Sequence, residues 1–339
     1  MTMIAFSALD SFTFTLLSRL GLSSSDARVM TDIYISTTKR GVGHHDIHNL
    51  PQRLERLVSR DLNPAPEFRR LSAFGGLERY DGDNAPGELI VHCAMARAMA
   101  LAAVHGMGLC AVRNSNHYLC SAPYVEQAAR AGYIGLIIAK AMPTMGVPGH
   151  QGNLIGQSPM GFAFPAGELD PAMLDICLAY VSFEKLRMMA ENGEPVPAHW
   201  GVGPDGQPTT DAKALLKGTK YPIGEHKGFG LALLCELLTG VLSGGCILDE
   251  PEEPGGIREM SHTAIAIKVD ALMPMEEFEK RSEALLTRLK ARDRDVHIPG
   301  EASFKKTRGY EASGEIELEE ALIRQLNAFA EKVGMEEKL

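Results

Sequence analysis

Two hydrophobic periods alternate along this chain and divide it into regions. Residues 7–20 carry apolar positions at helical spacing, and Ser23-Ser24-Ser25-Asp26 caps a second helix running to about Thr38. A third helix follows Arg40-Gly41-Val42, with Pro51 in its first turn, where a missing N–H costs nothing. Residues 61–88 are rich in proline and glycine and read as linker and hairpin, ending at the Asp81-Gly82-Asp83 turn. Gly87–His105 is a long helix whose alanines predict close packing against a neighbour. The pattern then changes to strand, polar turn, helix and strand: Leu109–Val112, Arg113–His117, Ser121–Arg130 and Tyr133–Ala139.

After Ala139 comes a Gly- and Pro-rich stretch too long for a tight turn, the kind of loop that carries function in compact domains. Gly161–Pro165, Met173–Leu178 and Thr263–Val269 read as further strands. Residues 191–217 are polar, 226–243 form an amphipathic helix closed by Gly244-Gly245, and the tail from Met275 is helical and acidic. The simplest architecture is an α/β core, residues 73–274, embraced by a discontinuous helical domain from residues 1–72 and 275–339.

Composition narrows the function classes. The chain's 339 residues suffice for two domains, taking roughly 150 residues per domain. A net charge of −9, with no basic patch interleaved with aromatics, argues against nucleic acid as a partner. Six cysteines, none in a CxxC pair, fit free thiols in a reducing compartment. The N-terminus carries Asp10 inside its apolar run and lacks a basic leader, and no apolar run reaches the roughly 20 residues of a membrane span. A cytoplasmic protein acting on a small molecule, with no membrane partner, is expected.

Chemistry-bearing residues fall in few places. Gly201-Val202-Gly203-Pro204-Asp205-Gly206 has the spacing of a dinucleotide fingerprint, but no strand precedes it and no helix follows to receive a pyrophosphate. It reads as a turn. His44 and His48 would share a helix face at a metal-ligand spacing, yet no further ligand pair supports a metal, and acid–base or capping roles compete. His117, between a strand and a helix, sits where rigid elements fix a side chain, and Cys120 three residues on could be its thiol partner in a hydrolase. Asp175 lies in an apolar run, either salt-bridged for structure or orienting a histidine. His226-Lys227-Gly228 opens a helix, where a lysine opposes the dipole unless an anion sits between.

Taken together, several segments resemble the type-2 malate/lactate dehydrogenase family along nearly the whole chain. They are RGV…H…LP at 40–51, DGDNAPG at 81–87, HGMGLCAVRNSNH at 105–117, GQSPMGFAFP at 156–165, EHKGFGLAL…E at 225–236 and IPGE at 298–301. The resemblance implies a homodimeric oxidoreductase using NAD or NADP. Its cofactor domain would be a mixed-sheet, non-Rossmann α/β unit with helical flanks. The substrate would be a small 2-oxo or 2-hydroxy acid or a cyclic imine. It implies acid–base duty for His45 and His117, support of the histidine by Asp175, and cofactor contacts at His226, Lys227, Gly300 and Glu301. In such chemistry a histidine, with its pKa near 6.5, supplies or takes the proton that accompanies hydride transfer.

The departures concentrate around the same residues. His44 stands for the family serine, Asp46 for a glycine, and Asn49 for the arginine that clamps the substrate carboxylate. His44, His48, Asn49 and Arg53 are therefore the substrate-binding candidates, with His48, Arg53 or Lys140 the possible replacement cation. At the cofactor positions Lys140, Ser158, Cys177 and Leu178 replace the family's asparagines and its Ala-Thr-Ser run, removing hydroxyl contacts. The expectation is a member with relocated specificity; the alternative is one that binds a small metabolite without redox turnover.

Overall fold

In the computed structural model, which describes residues 1–150, 152–250 and 260–339, a strand from late in the chain forms the middle of the main sheet. Met260–Lys268 lies between Met107–Ser115 and Tyr133–Ala139 and is antiparallel to both, with Ala264 opposite Cys110 and Ile137. The seven strands run in the order Arg69–Phe74, Leu77–Asp81, Met107–Ser115, Met260–Lys268, Tyr133–Ala139, Met160–Phe164, Ala172–Ile176. Leu77–Asp81 pairs parallel with Met107–Ser115, and every other neighbour is antiparallel. This is a mixed α/β fold. The expected hairpin forms, Arg69–Phe74 pairing antiparallel with Leu77–Asp81, and its first strand runs across residue 72.

Helix Gly87–His105 crosses the sheet closely because both surfaces are small. A side chain at Gly108 would meet the Ala98 carbonyl at 2.0 Å, and Val91, Ala94, Met95 and Ala98 are fully buried there. By length and composition this helix passes as a membrane span, contrary to the expectation that no segment would. Its buried Glu88, ion-paired to Arg53, and its contacts with the sheet make it a core helix.

The termini close on one another. Thr2–Ala5 pairs antiparallel with Glu315–Leu318, a small sheet that the helical reading of the tail did not include. The tail consists of helices Met275–Arg292, Glu301–Ser313 and Glu320–Lys332 around that strand. Leu9, Phe12, Leu326 and Phe329 from the terminal helices share one hydrophobic core with Val91, Val112 and Ala264 of the sheet region. Three predicted helices appear as Phe6–Arg19, Ser24–Lys39 and Leu50–Val58, with Ser23 accepting the Asp26 N–H as cap.

Pro143–Met145, Ile155–Gly156, Gly201–Val202 and Thr219–Lys220 build a second, four-stranded sheet. Gly203–Gly206 is a turn, closed by a Gly206 N–H to Gly203 carbonyl bond, as its sequence indicated. Helix His226–Glu236 continues through a π-helical turn, Leu237–Val241.

Candidate active site

Strand Met107–Ser115 is longer than its apolar run because its polar end is satisfied from next door. Asp81 accepts from Arg113 at 3.2 Å and from the Asn114 amide at 2.9 Å. The chain then leaves the sheet, and His117 sits in the loop before helix Ala122–Arg130. Five hydrogen bonds clamp that loop. Arg53 donates to the His117 carbonyl at 2.6 Å, and Arg56 to the Asn116 side chain at 2.8 Å. The Asn116 amide donates to Asn84 and to the Ala85 carbonyl, both at 2.9 Å. His262 donates from Nε2 to the Asn116 carbonyl at 3.0 Å. Gly87 completes the fit, since a Cβ there would stand 2.0 Å from the Asn116 carbonyl oxygen. The imidazole is held from below.

A cleft of about 600 Å³ opens above it, lined among others by His44, His45, His117, Asp175, Cys177 and Gly300. That volume is in the range of small-molecule and cofactor sites. The His45 and His117 rings meet edge to face, 4.8 Å between centroids and 62° between planes, and His44 lies tilted against His45 at 4.5 Å. Burial pushes the His45 pKa down to about 4, with the neighbouring His44 adding to the effect. Burial and then the charge of His45 hold His117 well below its usual value. Both rings are neutral at physiological pH. The Leu119 N–H donates to His117 Nδ1 at 3.3 Å, so the ring proton resides on Nε2.

Asp175 faces the cleft from strand Ala172–Ile176 and accepts the Ala122 N–H at 3.1 Å, at the start of helix Ala122–Arg130. Among the described residues it makes no hydrogen bond to either histidine; the backbone of Leu119 fixes the His117 tautomer instead. Desolvation raises its pKa despite the N–H groups around it. The Cys120 thiol is pushed well up by burial and by Asp175, which removes it as a nucleophile.

Several residues expected at the site are committed elsewhere. Asp46 accepts from the backbone of Gly43 and His48 and binds the His48 ring at 2.7 Å, which raises the His48 pKa. His44 and His48 lie on bends and a short 3₁₀ turn rather than one helix face, and the described residues contain no metal-ligating cluster. Asn49 sits in that 3₁₀ turn, away from the cleft. Arg53, only 3 % exposed, pairs with Glu88 at 3.0 Å beneath the loop and is no substrate ligand. Lys140 is buried and its stem runs against Gly240, toward Glu236. Ser158 is buried, bonded to the Gly156 carbonyl at 3.2 Å, and Leu178 is packed in the second core. Glu301 takes Lys290 at 2.7 Å. His226 and Lys227 are exposed at a helix start tied to the cleft rim through the Leu178–Ile223 and Tyr180–Tyr221 backbone bonds.

Other residues at or beside the cleft fall within motif segments but were not singled out as site residues. Arg40, paired with Glu126 and donating to Ser303, lines one wall. Gln157 lines another, bonded at 3.2 Å to the buried Lys220. Nothing in the spacing of residues 157 and 220 announces that pair.

The model of the family described as malate/L-lactate dehydrogenase matches residues 4–327. The chain belongs to the malate/L-lactate dehydrogenase family. Malate dehydrogenase of Pyrococcus horikoshii is 27 % identical over 344 residues, covering 97 % of this chain and 94 % of that protein. The 2,3-diketo-L-gulonate reductase of Klebsiella pneumoniae is 30 % identical over 80 % of this chain and 81 % of its own length. The sulfolactate dehydrogenase structure from Methanocaldococcus jannaschii superposes with a TM-score of 0.91 at 26 % identity, covering 98 % of both chains. As a malate/L-lactate dehydrogenase family member the chain is an enzyme, an oxidoreductase. Of the positions where the sequence departs from the family motif, Cys177 lines the cleft, whereas Asn49 and Leu178 do not.

Proposed function

We propose that this enzyme transfers a hydride between a nicotinamide cofactor, NAD or NADP, and the carbonyl, hydroxyl-bearing or imine carbon of a small 2-oxo acid, 2-hydroxy acid or cyclic imine. The observation that carries the reading is the pair of neutral imidazoles, His45 and His117, in edge-to-face contact in the lining of one cleft. The cleft's volume and its donor set fit such a cofactor, with Gln157, Cys177 and Gly300 within it. When bound, the nicotinamide supplies or accepts the hydride. His117, with its proton on Nε2, donates a hydrogen bond to the substrate oxygen or nitrogen and polarises the reacting bond. His45 exchanges the proton, taking it from a hydroxyl in oxidation. Asp175 acts by holding the start of helix Ala122–Arg130 against the strand.

Titration of the purified protein with NADH and NADPH, read by nicotinamide fluorescence, tests the reading first. Saturable binding followed by turnover on one member of an oxo-acid and cyclic-imine panel is expected. His45→Ala or His117→Ala then lowers kcat by about 10²–10⁴-fold with nucleotide binding retained. No binding of either nucleotide refutes it.

We also infer a homodimer. Helix His226–Glu236 and its continuation expose Leu231, Leu233, Leu234, Leu237, Val241 and Leu242, each more than 40 % accessible. Contiguous apolar surface of this kind marks an interaction face. Light scattering should give twice the chain mass, and Leu234→Glu with Leu237→Glu should halve it; a monomeric wild type would refute the inference.

A further inference from the structure

The buried cations around the cleft differ in what neutralises them. Arg40 has Glu126, Arg53 has Glu88, and Lys140 stands toward Glu236. Lys220 is 3 % exposed and has no carboxylate partner among the described residues. Its ammonium donates to the Gln157 side-chain oxygen at 3.2 Å and lies 5.5 Å from the Phe183 ring centre. A buried ammonium whose neighbours are one neutral acceptor, one aromatic face and the Cys177 thiol, itself held protonated by burial, is under-compensated.

The bond also orients the amide. An ammonium can only donate, so the Gln157 atom facing Lys220 is the oxygen. The Gln157 NH₂ is then the end left for a ligand, and Gln157 lines the cleft beside Cys177 and Ser182. We infer that Lys220 and Gln157 together form an anion-recognition element, the Gln157 NH₂ donating to an anionic oxygen of the bound ligand and Lys220 supplying the countercharge. This deepens the proposed function by adding an anion-recognition element to a cleft whose lining cations are Arg40, already paired with Glu126, and Lys306, which donates to the Gly41 carbonyl. The anionic oxygen belongs either to a cofactor phosphate or to a substrate carboxylate. Burial pushes the Lys220 pKa down to about 8, which makes the charge responsive to a bound anion.

Calorimetric titration of the full chain with inorganic pyrophosphate and, separately, with oxalate tests the element without requiring turnover. One of the two should bind the wild type with an affinity that declines above about pH 8, as Lys220 loses its proton. Lys220→Met should weaken that binding by about tenfold to a hundredfold and flatten its pH dependence, and Lys220→Arg should largely restore it. Gln157→Leu should weaken it too, and serves if Lys220→Met does not fold. Pyrophosphate sensitivity assigns the element to the cofactor, and oxalate sensitivity assigns it to the substrate. If neither anion binds the folded wild type, or binding is unchanged in Lys220→Met and Gln157→Leu, the inference is overturned. Absence of NADH and NADPH binding alongside an anion affinity that depends on Lys220 overturns the proposed redox function and leaves this element standing.

Discussion

Replacing Arg53 by methionine separates a positioning role from a substrate-binding one. Arg53 is 3 % exposed and Glu88 fully buried, with the guanidinium bonded to Glu88 at 3.0 Å and to the His117 carbonyl at 2.6 Å. Arg53→Met leaves Glu88 charged in the core, with only the Tyr34 hydroxyl, at 2.9 Å, to stabilise it. Stranding one member of a buried pair costs about 3–5 kcal/mol. The unpaired His117 carbonyl adds about 1–3 kcal/mol. Urea unfolding should therefore show a loss of at least about 3 kcal/mol. Glu88→Gln in the same chain removes the stranded charge, so the double variant should regain most of that loss, with a coupling energy of at least about 1 kcal/mol. The double variant should still turn over slowly, with kcat falling more than KM rises, because His117 has lost its tether while no substrate contact is gone. A single variant within about 1 kcal/mol of wild type, or a double variant with normal kcat and raised KM, would refute the assignment.

Three further outcomes follow from the same geometry. Gly87→Ala drives a methyl into the Asn116 carbonyl, 2.0 Å away; it should cost about 1–3 kcal/mol and reduce kcat by displacing His117, while Gly309→Ala, in open space at ordinary backbone angles, should leave kcat unchanged. For His262, fully buried with its Nδ1 unpartnered, burial lowers the folded pKa to about 4, below the unfolded value near 6.5. Its stabilising contribution is complete above about pH 6.5 and lost as pH falls toward 4, so unfolding at pH 5 should show about 2 kcal/mol less stability from this residue, and His262→Gln should shallow the slope. Asp175→Ala removes the acceptor for the Ala122 N–H and should cost about 1 kcal/mol. Asp175→Asn keeps an acceptor for that N–H, so its thermal midpoint should stay close to wild type.

Local elements were legible because their determinants are local. The Ser23 cap, Pro51 in the first turn of its helix, and the alanine face of Gly87–His105 each need only neighbours within a few residues. The same holds for the turn at Gly203–Gly206, where Pro-Asp-Gly chemistry outweighs a formal fingerprint. His45 and His117 stood out by motif, and the fold places them in one cleft.

What the spacing of residues left open was decided by partners far away in the chain. Met260–Lys268 enters the middle of the sheet because Ala264 and Ala266 suit a fully buried strand, but nothing local says between which strands it pairs. Arg53 is a plausible substrate cation until Glu88 and the His117 carbonyl, 35 and 64 residues away, absorb its donors. His48 is claimed by Asp46 once residues 43–49 form bends and a 3₁₀ turn instead of a helix. Lys220 and Gln157, 63 residues apart, become a pair only when the strand at Thr219–Lys220 aligns beside Pro143–Met145. The sequence determined which side chains can carry charge and protons. Burial and pairing in the tertiary structure decided which of them are neutral, which are already satisfied, and which remain for a ligand.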